Sequence, residues 1–167
     1  MLPVVLIIDD SEWVHVMIAK CFGDEWTIAH AYSGVEGIEA AKRCTPDLIL
    51  LDIDLPDMNG FDICRHLRAE LNDRYVAIMF LSSCCSVDEK VCGLEIGAVD
   101  FVPKPFEIDE LGQRVRNSLR MREMLSRLPD ALKWCPPERA SRHPRSAGRA
   151  GHKSDDGTNL FAWSCRS

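Results

Sequence analysis

Five short apolar runs punctuate the first 128 residues, and each is followed by a stretch with the spacing of an amphipathic helix. The runs are Val4 to Ile8, Trp26 to Ala31, Leu48 to Leu51, Val76 to Leu81 and Ala98 to Val102. Repeated βα units of this kind predict an α/β fold, a doubly wound five-stranded parallel sheet with helices on both faces. Runs such as LILL, apolar at every position, suit strands buried on both sides.

The intervening segments carry their own punctuation. Ser11 is placed to cap the first helix, whose inward face reads Val14, Met17, Ile18 and Cys21. Ser33 with Glu36 and Ser86 with Glu89 have the spacing of capping boxes. A third helix follows Gly60 with Ile63, Leu67 and Leu71 inward. The fifth starts near Glu107 with Ile108, Leu111, Val115 and Leu119 as its stripe, and Gly97 stops the fourth.

Charge divides the chain. The net charge of -6 combines 22 acidic and 13 basic side chains in residues 1–128 with 4 and 7 in residues 129–167. The acidic body disfavours nonspecific contact with nucleic acid or anionic lipid and tolerates divalent cations. From 129 onward Pro, Gly, Ser and Arg mix without periodicity, which reads as a basic, disordered tail or linker with no helix-turn-helix or cyclase signature. The eight cysteines form no CxxC pair and read as reduced core thiols, Cys84 and Cys85 as apolar filler, with a cytoplasmic address. No apolar run approaches the roughly 20 residues that span a bilayer. His15 and His66 read as surface residues, and Trp13 either packs or shields the acidic pair beside it.

In an open parallel sheet, ligands gather beyond the carboxyl ends of the strands. Those positions here are Asp9 and Asp10 after strand one, Asp52 after strand three, Ser82 and Ser83 after strand four, and Lys104 with Pro105 after strand five. Three carboxylates at one rim repel one another unless a cation neutralises them, and hard oxygen donors favour Mg²⁺. A carboxylate beside that ion and an ammonium is arranged to accept a phosphoryl group, with Asp52 as nucleophile, Ser82 as hydroxyl donor and Lys104 as a point charge.

In order and spacing these residues resemble the receiver domain of bacterial two-component response regulators, over roughly residues 3–125. The resemblance implies a flavodoxin-like receiver fold in residues 1–128. It implies that Asp52 takes phosphate from a sensor histidine kinase or phosphotransfer protein, that Asp10 binds Mg²⁺ directly and Asp9 largely through water, and that the Ile53 carbonyl completes the metal shell. It also implies a cis Lys104–Pro105 bond and a switch built from Ser82 and the aromatic three positions before the lysine. Here that aromatic is Phe101, where the best-known members have tyrosine. Asp54, two beyond the phosphoacceptor, falls where water attack on an acylphosphate is tuned. Pro56 to Gly60 forms the turn into the third helix.

A lone acidic pair, serine or lysine would carry little weight, since Asp-Asp after a strand is commonly a helix cap. Their conjunction selects a phosphoacceptor protein that catalyses only its own phosphoryl transfer and hydrolysis. Its expected output is a changed face between the fourth and fifth helices, read by a downstream protein or a homodimer, with no direct nucleic-acid or membrane partner. A phosphate sink without output is the alternative. Asp52-Ile-Asp54 also matches the strand that opens the site of haloacid dehalogenase-type phosphatases, but their acidic pair follows the lysine, whereas Asp9 and Asp10 come first.

Overall fold

A computed structural model of the chain describes residues 1–71, 75–83 and 86–127. The expected readings of Cys84, Cys85 and the tail from 129 lie outside them. Strands and helices alternate as β1 (Val4–Ile8), α1 (Glu12–Phe22), β2 (Thr27–Ala31), α2 (Gly34–Cys44), β3 (Leu48–Asp52), α3 (Gly60–Glu70), β4 (Ala77–Ser82), α4 (Val87–Glu95), β5 (Asp100–Pro103) and α5 (Ile108–Ser126). The five strands form one parallel sheet in the order β2-β1-β3-β4-β5. The predicted strands are right in number and order, and their bounds shift by a residue or two.

Alternation along each strand divides the core. Leu6, Ile8, Ile49, Leu51, Ile78 and Phe80 point to one face and pack with Ala40 and Ala41 of α2 and Ile63, Cys64 and Leu67 of α3. Val5, Ile7, Leu48, Leu50, Met79 and Leu81 point to the other and pack with Val14, Ile18 and Phe22 of α1 and Leu111 and Val115 of α5. Each fully buried Leu, Ile or Phe contributes about 2 kcal/mol, so the central strands hold the sheet flat against both helical layers.

Three local expectations need correction. His15 is 1% exposed, because spacing with Ile18 and Phe22 places it on the inward face of α1, and Cys21 is exposed instead. Among the described cysteines Cys64 alone is buried, so a general core role for the thiols fails. Ser11 sits at the α1 N-cap without a side-chain cap bond, and its N–H donates to Asp9 Oδ1.

Capping otherwise follows the sequence. Ser86 and Glu89 close a full box on α4. Ser33 accepts from the Glu36 N–H, but Glu36 turns to the Tyr32 N–H, so only half of that box forms. Gly97, at φ 98°, takes the left-handed turn that ends α4.

The loop between β3 and α3 is fastened at both ends. Asp57 accepts from the N–H groups of Gly34 and Val35, at 2.8 and 3.0 Å, and so caps α2 from across the rim. Gly60 presses so close that a Cβ there would lie 2.5 Å from the Asp52 carbonyl oxygen, which excludes any side chain.

The bonds from Gly34 and Val35 hold the Asp57 carboxyl below its ordinary value. Its contribution is therefore full at neutral pH and is lost as pH falls through that lowered value. Asp57→Ala is expected to cost about 1 kcal/mol in urea denaturation at pH 7. The difference from wild type should persist above the ordinary carboxylate value of 3.8 and fade below it.

Candidate functional site

Because all five strands run the same way, their carboxyl ends converge on one rim. β1 delivers Asp9, β3 ends in Asp52, β4 ends in Ser82, and β5 leads into Lys104. Lys104 Nζ donates to Asp9 Oδ2 at 2.7 Å and to Asp52 Oδ2 at 2.8 Å. Asp9 is fully buried and Asp52 is 3% exposed, so both pairs sit in a poorly solvated setting. Burial works against the Lys104 charge, but the hydrogen bonds it donates to Asp52 and Asp9 outweigh that and hold the ammonium above its ordinary value.

Asp10 completes the acidic group. Carboxylate oxygens of Asp9, Asp10 and Asp52 all lie within 4.8 Å of one another, with Asp10 exposed and the other two buried. Three carboxylates against one ammonium leave the cluster strongly negative. Ser82 joins the rim through its backbone, its carbonyl accepting from the Lys104 N–H at 2.7 Å. The Lys104–Pro105 peptide is cis.

Other expected members flank the cluster. The Ile53 carbonyl accepts from the Gly60 N–H at 2.9 Å, a bond that closes the β3–α3 loop and takes one of its two lone pairs, and Ile53 N–H donates to Leu81. Asp54 N–H approaches Asp52 Oδ1 at 3.4 Å, while its own residue is exposed. Trp13 is 67% exposed and shields nothing by burial. Phe101 lies below the rim, its ring centroid 5.0 Å from that of Phe80, which is 5.0 Å from Phe61. Gly93 of α4 admits this ring, since a Cβ there would fall 2.2 Å from Phe101 Cζ.

The sequence reading missed the histidines. His15 Nε2 lies 2.8 Å from the Asp9 carbonyl oxygen, and His15 Nδ1 lies 2.9 Å from His30 Nδ1. Burial, then the neighbouring His15, push the His30 imidazole below its ordinary value. The signal was present: His15, Ile18 and Phe22 follow helical spacing on α1, and His30 alternates with the inward Ala31 on β2.

Comparison with known proteins agrees with this geometry. The model of the response regulator receiver domain matches residues 5–116. The chain belongs to this family. It is 36% identical over 117 residues to the response regulator MprA of Mycobacterium ulcerans, covering 70% of this chain and 50% of that protein. Among solved structures, the BeF3-activated N-terminal receiver domain of Klebsiella pneumoniae RstA is 31% identical with a TM-score of 0.64, covering 70% of this chain and 98% of that one. The chemotaxis response regulator CheY4 of Vibrio cholerae is 25% identical with a TM-score of 0.66, covering 71% and 99%. This receiver chain spans about half the length of the curated relatives it matches. No described helix is long and apolar enough to cross a membrane.

Opposite signs are expected from two substitutions at this rim. Lys104→Met strands two buried carboxylates and should lower stability by about 2–4 kcal/mol. Asp52→Asn removes one of three crowded like charges and should raise it by about 1 kcal/mol. Urea midpoints in metal-free buffer check both, and equal signs would sink the electrostatic account.

Proposed function

We propose that the chain is a phosphoacceptor of a two-component phosphorelay, in which Asp52 receives a phosphoryl group from a sensor histidine kinase or phosphotransfer protein. The observation that carries this reading is the Lys104 ammonium held between two buried carboxylates at the rim, with a third beside them. A carboxylate in that position is oriented by its ammonium partner and crowded by two neighbouring carboxylates. Phosphoryl transfer asks chiefly for positioning and for neutralisation of the oxygens in flight.

Asp9, Asp10 and Asp52, with the Ile53 carbonyl, would hold Mg²⁺. The fit rests on donor chemistry: three hard carboxylate oxygens, mutually close, beside one ammonium that cannot balance them. The bound ion would supply Lewis-acid charge at the phosphoryl oxygens. Lys104 holds Asp52 in line and offers its Nζ to a phosphoryl oxygen, and Ser82 supplies a hydroxyl from the end of β4. Asp54, exposed beside Asp52, faces the approach of water. The chain's chemistry would be confined to its own phosphorylation and hydrolysis, and we place it in the cytoplasm.

For output, we propose a two-state element in which Ser82 and Phe101 bias the face formed by α4 and α5, read by a downstream protein or a second copy of the chain. The packing of Phe101 against Gly93 supports this, because it joins β5 to α4 directly. A phosphate sink would need the same rim but no response from α4. The family match gives no support to a haloacid dehalogenase-type phosphatase.

Intact mass after incubation with acetyl phosphate and Mg²⁺ tests the chemistry. One phosphoryl group is expected on the wild type, none on Asp52→Asn and none with excess chelator. A modified Asp52→Asn would show that the acceptor is elsewhere. Size-exclusion chromatography of the phosphorylated protein separates output from sink, since a sink keeps its elution volume and fails to bind a partner.

A further inference from the structure

Asp9 and Asp10 are joined by a single peptide, and the carbonyl of that peptide is held by His15 Nε2 at 2.8 Å. A carbonyl cannot donate, so Nε2 carries the hydrogen of this bond. The other ring nitrogen, Nδ1, shares a second hydrogen bond with His30 Nδ1, 2.9 Å away. The N–H of Asp9 donates to Ala31, the residue after His30. The tip of β1, the first turns of α1 and the end of β2 are thus closed into one hydrogen-bonded ring, with the Tyr32 ring packed 4.3 Å from that of His15.

A buried imidazole is an expensive way to fill an apolar helix face. Val14, Ile18 and Phe22 surround the same side of α1, and a leucine at position 15 would avoid the desolvation cost of two ring nitrogens. What leucine cannot do is fix the peptide between the acidic residues. Rotation of that peptide would swing both side chains, and Mg²⁺ tolerates little departure from octahedral geometry. Groups that orient ligands from behind alter ion affinity although they never touch the ion.

We propose that His15 is a positioning residue for the acidic site: it fixes the Asp9–Asp10 peptide so that both carboxylates converge on a divalent cation, and His30 fixes His15. This inference rests on the ion-binding part of the proposed function. His15 would act through Asp9 and Asp10 without contact with the reacting atoms.

The test compares the wild-type 167-residue chain with His15→Leu, His15→Gln and His30→Phe, measuring Mg²⁺ dissociation constants by isothermal titration calorimetry and urea midpoints without metal. Loss of one oriented hydrogen bond should weaken Mg²⁺ binding about three- to tenfold in His15→Leu. Glutamine places an N–H near the position of Nε2 and should bring the constant back to within about twofold of wild type. His30→Phe, at an exposed position, should fall between them, and it carries the comparison if His15→Leu does not fold. Wild-type affinity in every variant, or equal weakening by leucine and glutamine, would overturn the positioning role alone. A wild type that binds no Mg²⁺ would overturn the ion reading and this inference together.

Discussion

The carboxyl end of the sheet depends on one ammonium. Lys104 reaches Asp9, 95 residues earlier, and Asp52, 52 residues earlier, and so ties β5 to both β1 and β3. Two carboxylates as buried as these repel each other more strongly as water is excluded, and the ammonium between them offsets that repulsion. The pairing also fixes the order in which the rim can be read. With Lys104 in place, Asp52 is held by one oxygen, and Asp10 stands at the exposed side of the cluster. The apolar strands below serve this arrangement, since a rim of like charges can be gathered only on a frame whose own burial is not in question.

Backbone partners then set where each charge points. Asp9 has its N–H on Ala31, one carboxylate oxygen on the Ser11 N–H, the other on Lys104 and its carbonyl on His15. On the other side of the site, the β3–α3 loop is drawn in by the Gly60 N–H on the Ile53 carbonyl and pinned to α2 by Asp57. These are short, local contacts, each of modest net stability, but together they leave the loops at the rim little freedom. Preorganised charge is the requirement that a phosphoacceptor places on its fold.

How much of this was legible depends on the kind of signal. The strands of the sheet announced themselves because LILL, VAIMFL and VVLII have no other stable home, and the rim residues followed from where those runs stop. Capping at Ser86 and the turn at Gly97 were equally local. His15 was misread because its spacing with Ile18 and Phe22 marks the inward face only if that face is set on Phe22. The sequence reading had placed that face on Cys21. Asp57 was invisible for a different reason: its partners Gly34 and Val35 lie 23 and 22 residues earlier, and only the packed sheet brings them together.

Phe101 shows why steric fit can replace a hydroxyl. A tyrosine at this position would have an oxygen to exchange between partners, whereas phenylalanine has only its volume. That volume is tightly matched: the ring lies against Phe80, behind which Phe61 packs at a tilt, and it enters space on α4 that exists because position 93 has no side chain. Interiors packed this closely move between discrete arrangements instead of yielding gradually. A displacement of β5 toward the rim would therefore vacate the space beneath Gly93, and α4 would have to follow or leave a void. The coupling proposed between rim and helix would then rest on exclusion of volume, which requires no hydrogen bond from residue 101.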